Sequence, residues 1–232
     1  MKKKATGSRI LLGLALFCIT LLAFCSVSFA EQLDPRWKWS KILDHIYWYY
    51  DTKTIEYNPK TQSAKFWVLA LSTNGRLRTL SHHSICFKDK TWTILESIDY
   101  SGNVPKHRKK EYLLPAKQIV RPDTAIEALA RNAASQLGIA PLYKGGPDRW
   151  KWIHSTDTYS MYIAKDTLLY HPDTKKYSVW TKKSYFGNRE YYLLYYLSFT
   201  DETVKSPGSD DYMPPMPGRI EEYVLNAAEK LR

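Results

Sequence analysis

One stretch of this chain occurs twice, and the spacing of the two copies limits what the chain can fold into. Arg36-Trp37-Lys38-Trp39 returns 113 positions later as Arg149-Trp150-Lys151-Trp152, and the match runs without a gap to Trp67 and Trp180. At that offset Asp44 falls on Asp157, Tyr49 on Tyr162, Thr54 on Thr167, Tyr57 on Tyr170 and Pro59 on Pro172. A second echo has an offset of 94 and pairs Ile126-Glu127 with Ile220-Glu221, Asn132-Ala133-Ala134 with Asn226-Ala227-Ala228, and Leu137 with Leu231. The offsets differ by 19, so the second copy reads as the same unit with 19 residues missing from its middle.

The N-terminus reads as a targeting segment. Lys2, Lys3, Lys4 and Arg9 precede an uncharged apolar run over residues 10–27, and Ser28-Phe29-Ala30 places small residues at the −3 and −1 positions before Glu31. This is the pattern of a secretory signal peptide over residues 1–30. Two readings compete with cleavage: an uncleaved anchor, because the run approaches a minimal spanning length, and a lipidated Cys25. Cleavage leaves residues 31–232, enough for two domains of about 100 residues. Losing those four basic residues takes the net charge from +11 to +7. That balance suits anionic surfaces, acidic glycans or acidic proteins, or simply solubility; outside the cytoplasm nucleic acid is not expected.

Within each unit the signals point to an α+β fold, an antiparallel sheet of about five or six strands closed by one helix. Tyr47-Trp48-Tyr49-Tyr50 reads as a strand by aromatic content. Asn58-Pro59-Lys60-Thr61 is a turn and Asn74-Gly75 a hairpin. The stretches 64–71, 76–87 and 91–100 continue the meander. Thr124-x-x-Glu127 after Pro122 is a capping box, and Ile126, Leu129, Ala130, Ala133 and Leu137 recur at helical spacing. Gly138 supplies the left-handed stop, and Pro141 prevents continuation. The first repeat thus spans residues 31–138, a linker covers 139–148, and the shorter second repeat spans 149–232. There the hairpin is Gly187-Asn188 and the closing helix carries Ile220, Tyr223, Val224, Ala227 and Leu231.

No residue pattern points to catalysis. His82 and His83 are adjacent on an expected strand, so their side chains leave opposite faces and cannot share a metal. Glu127 is accounted for by the capping box, and Asp44 and Asp157 read most simply as turn residues. The sequence contains no zinc spacing, phosphate-cradling loop or nucleophile elbow. No catalytic residue, metal or cofactor is expected. Cys86 is the only cysteine after the signal, so it cannot close a disulfide within the mature chain. Its apolar neighbours Ile85 and Phe87 predict a buried, inert thiol; a bridge between two chains is the alternative.

Two groups are candidates for binding. Lys106, Arg108, Lys109 and Lys110 form a basic loop in the segment that the second copy lacks, and read either as a docking patch or as a solvated charge run. Alternation predicts Trp39, Trp67, Trp152 and Trp180 in the sheet core and leaves Trp37 and Trp150 for an outer face, where they could meet a glycan or protein.

Further pieces complete a pattern: Tyr49-Tyr50-Asp51, Thr54-Ile55, Phe66-Trp67-Val68, Ile85-Cys86, Tyr100-Ser101-Gly102 and Val120-Arg121-Pro122, opened by Trp39. Their order resembles the surface-adhesin protein E-like family of exported bacterial proteins. The second copy follows it through Tyr162, Thr167-Leu168 and Val179-Trp180. The resemblance implies an exported protein, periplasmic, surface-bound or secreted, that adheres to host matrix or envelope proteins. The family often carries a second cysteine near the end of its closing helix, able to pair with the one matching Cys86; neither helix here has it.

Together these readings predict a non-enzymatic binding or envelope-structural protein that contacts a protein or an anionic surface. The alternative is a periplasmic small-molecule or lipid-binding protein with its site between the repeats. If the basic run is the contact, neutralising Lys106, Arg108, Lys109 and Lys110 weakens partner capture in a salt-dependent pull-down and leaves the melting temperature unchanged. Undiminished capture removes the run from the contact.

Overall fold

Alternating aromatic, β-branched and polar residues build two antiparallel sheets, and a helix follows each in the chain. The computed structural model describes residues 33–101, 104–110 and 117–232, with residues 108–110 described by their backbone alone. The signal expected over residues 1–30 lies outside the described residues. By internal contacts residues 1–37 and 38–232 are two units. In the first, Asp34 shapes a turn: its carbonyl accepts from the Trp37 N–H at 2.9 Å and its Oδ1 from the Arg36 N–H at 2.9 Å.

The first sheet holds β1 (Trp37–Leu43), β2 (Ile46–Asp51), β3 (Glu56–Asn58), β4 (Ser63–Ser72), β5 (Leu77–Cys86), β6 (Thr91–Ser101), β7 (Val104–Lys110) and β8 (Gln118–Ile119). Its eight strands run in the order β1-β2-β4-β5-β6-β7, with β3 on β4 and β8 on β6. The turn chemistry is local. Asn58 Oδ1 accepts from the Lys60 N–H at 3.0 Å, and Gly75 adopts φ +77° in the β4–β5 hairpin. Between β1 and β2, Asp44 and His45 take φ +50° and +60°, as a two-residue hairpin requires. Asp44 is therefore a turn residue.

Helix α1 (Ala125–Leu137) starts as its sequence predicts: the Glu127 N–H donates to the Thr124 hydroxyl, and Gly138 at φ +66° ends it. Its buried Leu129, Ala130 and Ala133 pack on Phe66, Val68 and Ile85, with Ile126 and Leu137 at the margin. The second sheet holds β9 (Trp150–Ser155), β10 (Tyr159–Ala164), β11 (Leu169–His171), β12 (Lys176–Tyr185), β13 (Arg189–Ser198) and β14 (Thr203–Lys205), in the order β14-β13-β12-β10-β9 with β11 on β12. Helix α2 (Ile220–Glu229) buries Val224 and Ala227 against Met161, Ile163, Val179 and Leu197. The architecture is α+β, and the first sheet has more strands than the five or six expected.

Several bonds recur between the halves. The Thr54 hydroxyl accepts from the Trp67 N–H at 3.2 Å and donates to the Asp51 carbonyl; the Thr167 hydroxyl accepts from the Trp180 N–H at 3.1 Å and donates to the Ala164 carbonyl. Each residue of the second set lies 113 positions after its counterpart, so this recurring threonine ties a strand to the turn beside it. Likewise the Cys86 thiol donates to Asp89 Oδ2 at 3.4 Å where the Ser198 hydroxyl donates to Asp201 Oδ2 at 2.8 Å. Cys86 is free and buried, and fills the place of a turn-closing hydroxyl.

Four expectations need correction. The basic run is no loop: its backbone is strand β7, paired with β6 from Glu96↔Lys110 to Ser101↔Val104, at the edge of the first sheet. Edge strands rich in lysine resist pairing with other chains, so the sheet itself accounts for this composition. The 139–148 stretch is packed: Leu142 and Tyr143 are buried in the first core, and the Tyr143 hydroxyl donates to the Val120 carbonyl at 2.7 Å. Trp67 and Trp180 miss the helix-facing core, because the register points Phe66, Val68 and Val179 at the helices and turns the tryptophans to the opposite faces. Trp39 and Trp152 are 58% and 57% exposed, since β1 and β9 end their sheets and leave one flank of each ring uncovered.

His82 and His83 take opposite faces as expected. His82 stacks on Trp67 with centroids 5.1 Å apart, while His83 is buried, stacks on Trp92 at 5.7 Å and shares a 2.7 Å hydrogen bond with the Ser81 hydroxyl. Burial, assisted by the His82 charge, pushes the His83 ring down to about 3. The unfolded chain protonates this ring near pH 6.5 and the folded chain does not until about 3. The neutral ring therefore contributes stability above pH 6.5 that is lost as the pH falls towards 3, at up to about 1.4 kcal/mol per pH unit. Replacing His83 by Phe, with Ser81→Ala to remove the orphaned hydroxyl, flattens the stability curve between pH 6.5 and 5. Urea titrations at those pH values measure it, and parallel curves for both proteins count against a neutral buried His83.

Candidate functional site

The repeated motif opens with an arginine, and in the second half that arginine is buried. Arg149 closes a short 3₁₀ turn (Pro147–Arg149) just before β9 and is 4% exposed. A guanidinium taken from water needs matched acceptors on its whole fork. Glu127 provides two: its Oε1 accepts from Nη2 at 2.5 Å and its Oε2 from Nη1 at 2.9 Å. Asp166 Oδ2 accepts from Nε at 3.2 Å and from Nη2 at 3.1 Å, and Asp123 Oδ1 accepts from Nη1 at 3.0 Å.

Each carboxylate is itself held. Glu127 Oε2 accepts from the Asp123 N–H at 2.7 Å, its Oε1 from Arg131 at 2.7 Å, and Asp166 Oδ2 from the Gly145 N–H at 2.7 Å. Gly145 sits at φ +69°, a conformation that favours glycine, and a Cβ there would lie 2.5 Å from the outer end of Arg131 and push it aside. The capping box thus explains only part of Glu127, which reaches back to Asp123 and also neutralises Arg149. At α2 the matching reach is made by Glu222 to the Gly218 N–H at 2.7 Å, whereas Glu221 accepts from Ser206.

Charge and burial act against each other here. Burial alone would raise the Glu127 carboxyl, but the hydrogen bonds and charge of Arg149 outweigh it and hold the group below its ordinary value. Burial alone would lower Arg149, and Glu127 and Asp166 together raise it instead. The network joins α1 of the first half to β9 and the Asp166 turn of the second.

Trp150 belongs to the same junction. Its Nε1 donates to Asp123 Oδ2 at 2.9 Å, its ring meets Tyr192 edge-on at 5.8 Å, and the Lys182 ammonium lies 5.1 Å over it. The Arg121 guanidinium lies 5.0 Å over the Tyr192 ring. Trp150 is therefore tied to the first half. Trp37 opens β1 with the Arg36 guanidinium 5.7 Å over its ring. Lys106 is exposed on β7, the strand whose backbone continues through Arg108, Lys109 and Lys110. The sequence-predicted binding residues are thus dispersed over separate strands.

Two other features stand out. Beside the ion network lies an open groove of about 580 Å³ with apolar walls from Pro141, Leu142 and Tyr143 and with Lys90, Lys144 and Lys165 around it. At the far end of the second sheet, the β12–β13 hairpin exposes Phe186 by 71% and Tyr191 by 51%. Lys183 lies there 3.9 Å over the Tyr159 ring and 5.0 Å over that of Tyr185. The sequence alone suggests a small-molecule site between the repeats and a hairpin at Gly187-Asn188, but neither the residues of the groove nor the exposed rings of the hairpin. The rings could have been found by comparing the copies, because Phe186 and Tyr191 stand where the first copy has Thr73 and Arg78. Among the described residues, no group of three His, Cys, Asp or Glu is placed to hold a metal ion. No protein-family model, curated protein or solved structure matches the chain.

Removing one partner of a buried ion pair leaves the other charge uncompensated. Arg149→Met is expected to cost about 3–5 kcal/mol, measured by chemical denaturation, and Glu127→Gln in the same background to recover part of it. The Glu127 contribution is present above its ordinary pKa of 4.5 and disappears as the pH falls below that. An additive double mutant would contradict the coupling.

Proposed function

We propose that this chain is an exported, non-enzymatic binding or envelope-structural protein built from two tandem α+β repeats, contacting a protein or an anionic surface. The observation that carries the reading is the β12–β13 hairpin. At the matching hairpin Ser72, Thr73 and Arg78 of the first copy are replaced by Tyr185, Phe186 and Tyr191 in the second. Large rings left in water at a hairpin tip lower stability or solubility unless a partner covers them. Aromatic rings with nearby cations are the residues that concentrate binding energy at protein interfaces. Here Lys183 and Arg189 supply the cations.

The signal-like N-terminus and the resemblance to the surface-adhesin protein E-like family support the same reading. The basic β7 edge and the exposed Trp39 and Trp152 offer further contact area, but the Phe186 and Tyr191 rings are the part most open to solvent on a hairpin that otherwise builds the sheet.

The test is a pull-down with the chain from Glu31 onward, against envelope and host extracellular-matrix fractions at low and high salt. The double substitution Phe186→Ser and Tyr191→Ser is expected to reduce capture at least tenfold with an unchanged melting temperature. Equal capture by both proteins would move the contact away from the hairpin. Capture lost in high salt would show a dominant electrostatic contribution, which Lys183→Met with Arg189→Met would assign to the hairpin if it removed the salt dependence.

A further inference from the structure

We propose that the groove at the junction of the two halves is a binding site for a small carboxylate with an apolar body, with Lys90 as its counter-ion. This inference is independent of the hairpin contact. Three observations on the groove support it: its volume, its lining and the state of Lys90.

The volume of about 580 Å³ lies within the range of small-molecule sites, which are roughly 300–1,000 Å³. The walls are apolar where Ala140, Pro141 and Leu142 line them, and the Tyr143 ring adds a flat side. Tyr143 cannot swing away, since its hydroxyl is bonded to the Val120 carbonyl. The back of the site is the Arg149–Asp166 pair, already fixed by its own bonds. The groove is therefore held in shape before any ligand arrives, which lowers the ordering cost of binding.

The lining residues carry four cations (Lys90, Lys144, Arg149 and Lys165) against two carboxylates (Asp148 and Asp166). Arg149 and Asp166 are paired within the ion network, leaving three lysines and the exposed Asp148 around an apolar floor, a net excess of positive charge. Lys90 differs from the other two. Lys144 and Lys165 are exposed, whereas Lys90 is half-buried, its ammonium 4.9 Å over the Tyr143 ring and 3.5 Å from the Asp166 carbonyl. Burial lowers its pKa and the Asp166 charge opposes this only in part. A cation over a ring, at the end of a long hydrogen bond and beside open space, gains from an arriving anion. A carboxylate against Lys90 places its apolar tail along Pro141 and Leu142, and Lys144 and Lys165 raise the local concentration of anions. A neutral amphiphile fills the same walls without the ion pair, and a cationic one meets three like charges.

The experiment is isothermal titration of the chain from Glu31 onward with laurate, below its micelle concentration, with dodecanol and dodecyltrimethylammonium as neutral and cationic counterparts. Laurate is expected to bind with one-to-one stoichiometry, at least tenfold more tightly than dodecanol, and the cation not at all. Lys90→Met keeps the stem and removes the charge; it is expected to weaken laurate at least tenfold and to leave dodecanol unchanged. Lys165→Glu is expected to weaken laurate less, at the rim. Phe186→Ser with Tyr191→Ser should not alter laurate binding, which separates this site from the hairpin contact. Absence of saturable laurate binding, or equal binding by Lys90→Met at an unchanged melting temperature, would overturn the proposal.

Discussion

Burying a guanidinium is the most demanding step this chain takes, and the junction of its two halves is arranged around it. Arg149 gives up its hydration and receives three carboxylates from segments far apart in sequence: Asp123 and Glu127 from the start of α1, Asp166 from the turn after β10. Desolvation at this depth exceeds the gain from any single pair, so the geometry has to satisfy the whole fork. Gly145 without a side chain, Asp123 in a left-handed conformation at φ +63° and the packed Tyr143 ring all contribute to it. An apolar contact would tolerate sliding. A bidentate pair does not, and this fixes the angle at which α1 meets β9.

The same motif serves different ends in the two copies. Arg36 and Arg149 open equivalent strands, yet Arg149 is committed to the junction while Arg36 lies over Trp37. Trp150 turns inward to Asp123, and Trp152 stays exposed with its Nε1 bonded to Ser155 at 2.8 Å. What both copies share is narrower: the Thr54 and Thr167 bonds, the turn-closing Cys86 and Ser198, and an alanine-rich helix face on the sheet. The two threonines satisfy backbone N–H groups at matching points of the two sheets.

This division explains what could be read from the sequence. Hairpins, the helix cap at Thr124, the αL stop at Gly138 and the opposed faces of His82 and His83 depend on neighbours a few residues away, so local chemistry sufficed. The tryptophans misled because Trp37 and Trp39, like Trp150 and Trp152, stand two residues apart and share a strand face, and because alternation does not say which face meets the helix. In the β9–β10 pairing a register shift leaves Ile153 without a partner residue, so that Trp152 stands opposite Tyr162 and His154 opposite Met161. The β7 run read as a loop because its charges resemble a solvated segment, whereas an edge strand tolerates the same charges on its open side. Arg149 was illegible for a different reason. A buried arginine is defined by its acceptors, and those at Asp123 and Glu127 lie 26 and 22 residues back; Glu127 already had a sufficient local explanation.

The ion network and the groove beside it share one physical origin. A core closed only by apolar contacts shrinks until its voids are gone, because each unfilled space loses dispersion contacts on its lining. Here the distance between the Asp166 turn and α1 is set by hydrogen bonds to Arg149, not by how closely Pro141 and Leu142 can approach Lys90. The junction is therefore held open at the length of a guanidinium and its acceptors. The apolar stretch from Ala140 to Tyr143 lines the resulting space without filling it. Polar bonds of fixed length next to apolar walls give a pre-formed groove, and Lys90, half-buried over the Tyr143 ring, gives that groove its sign.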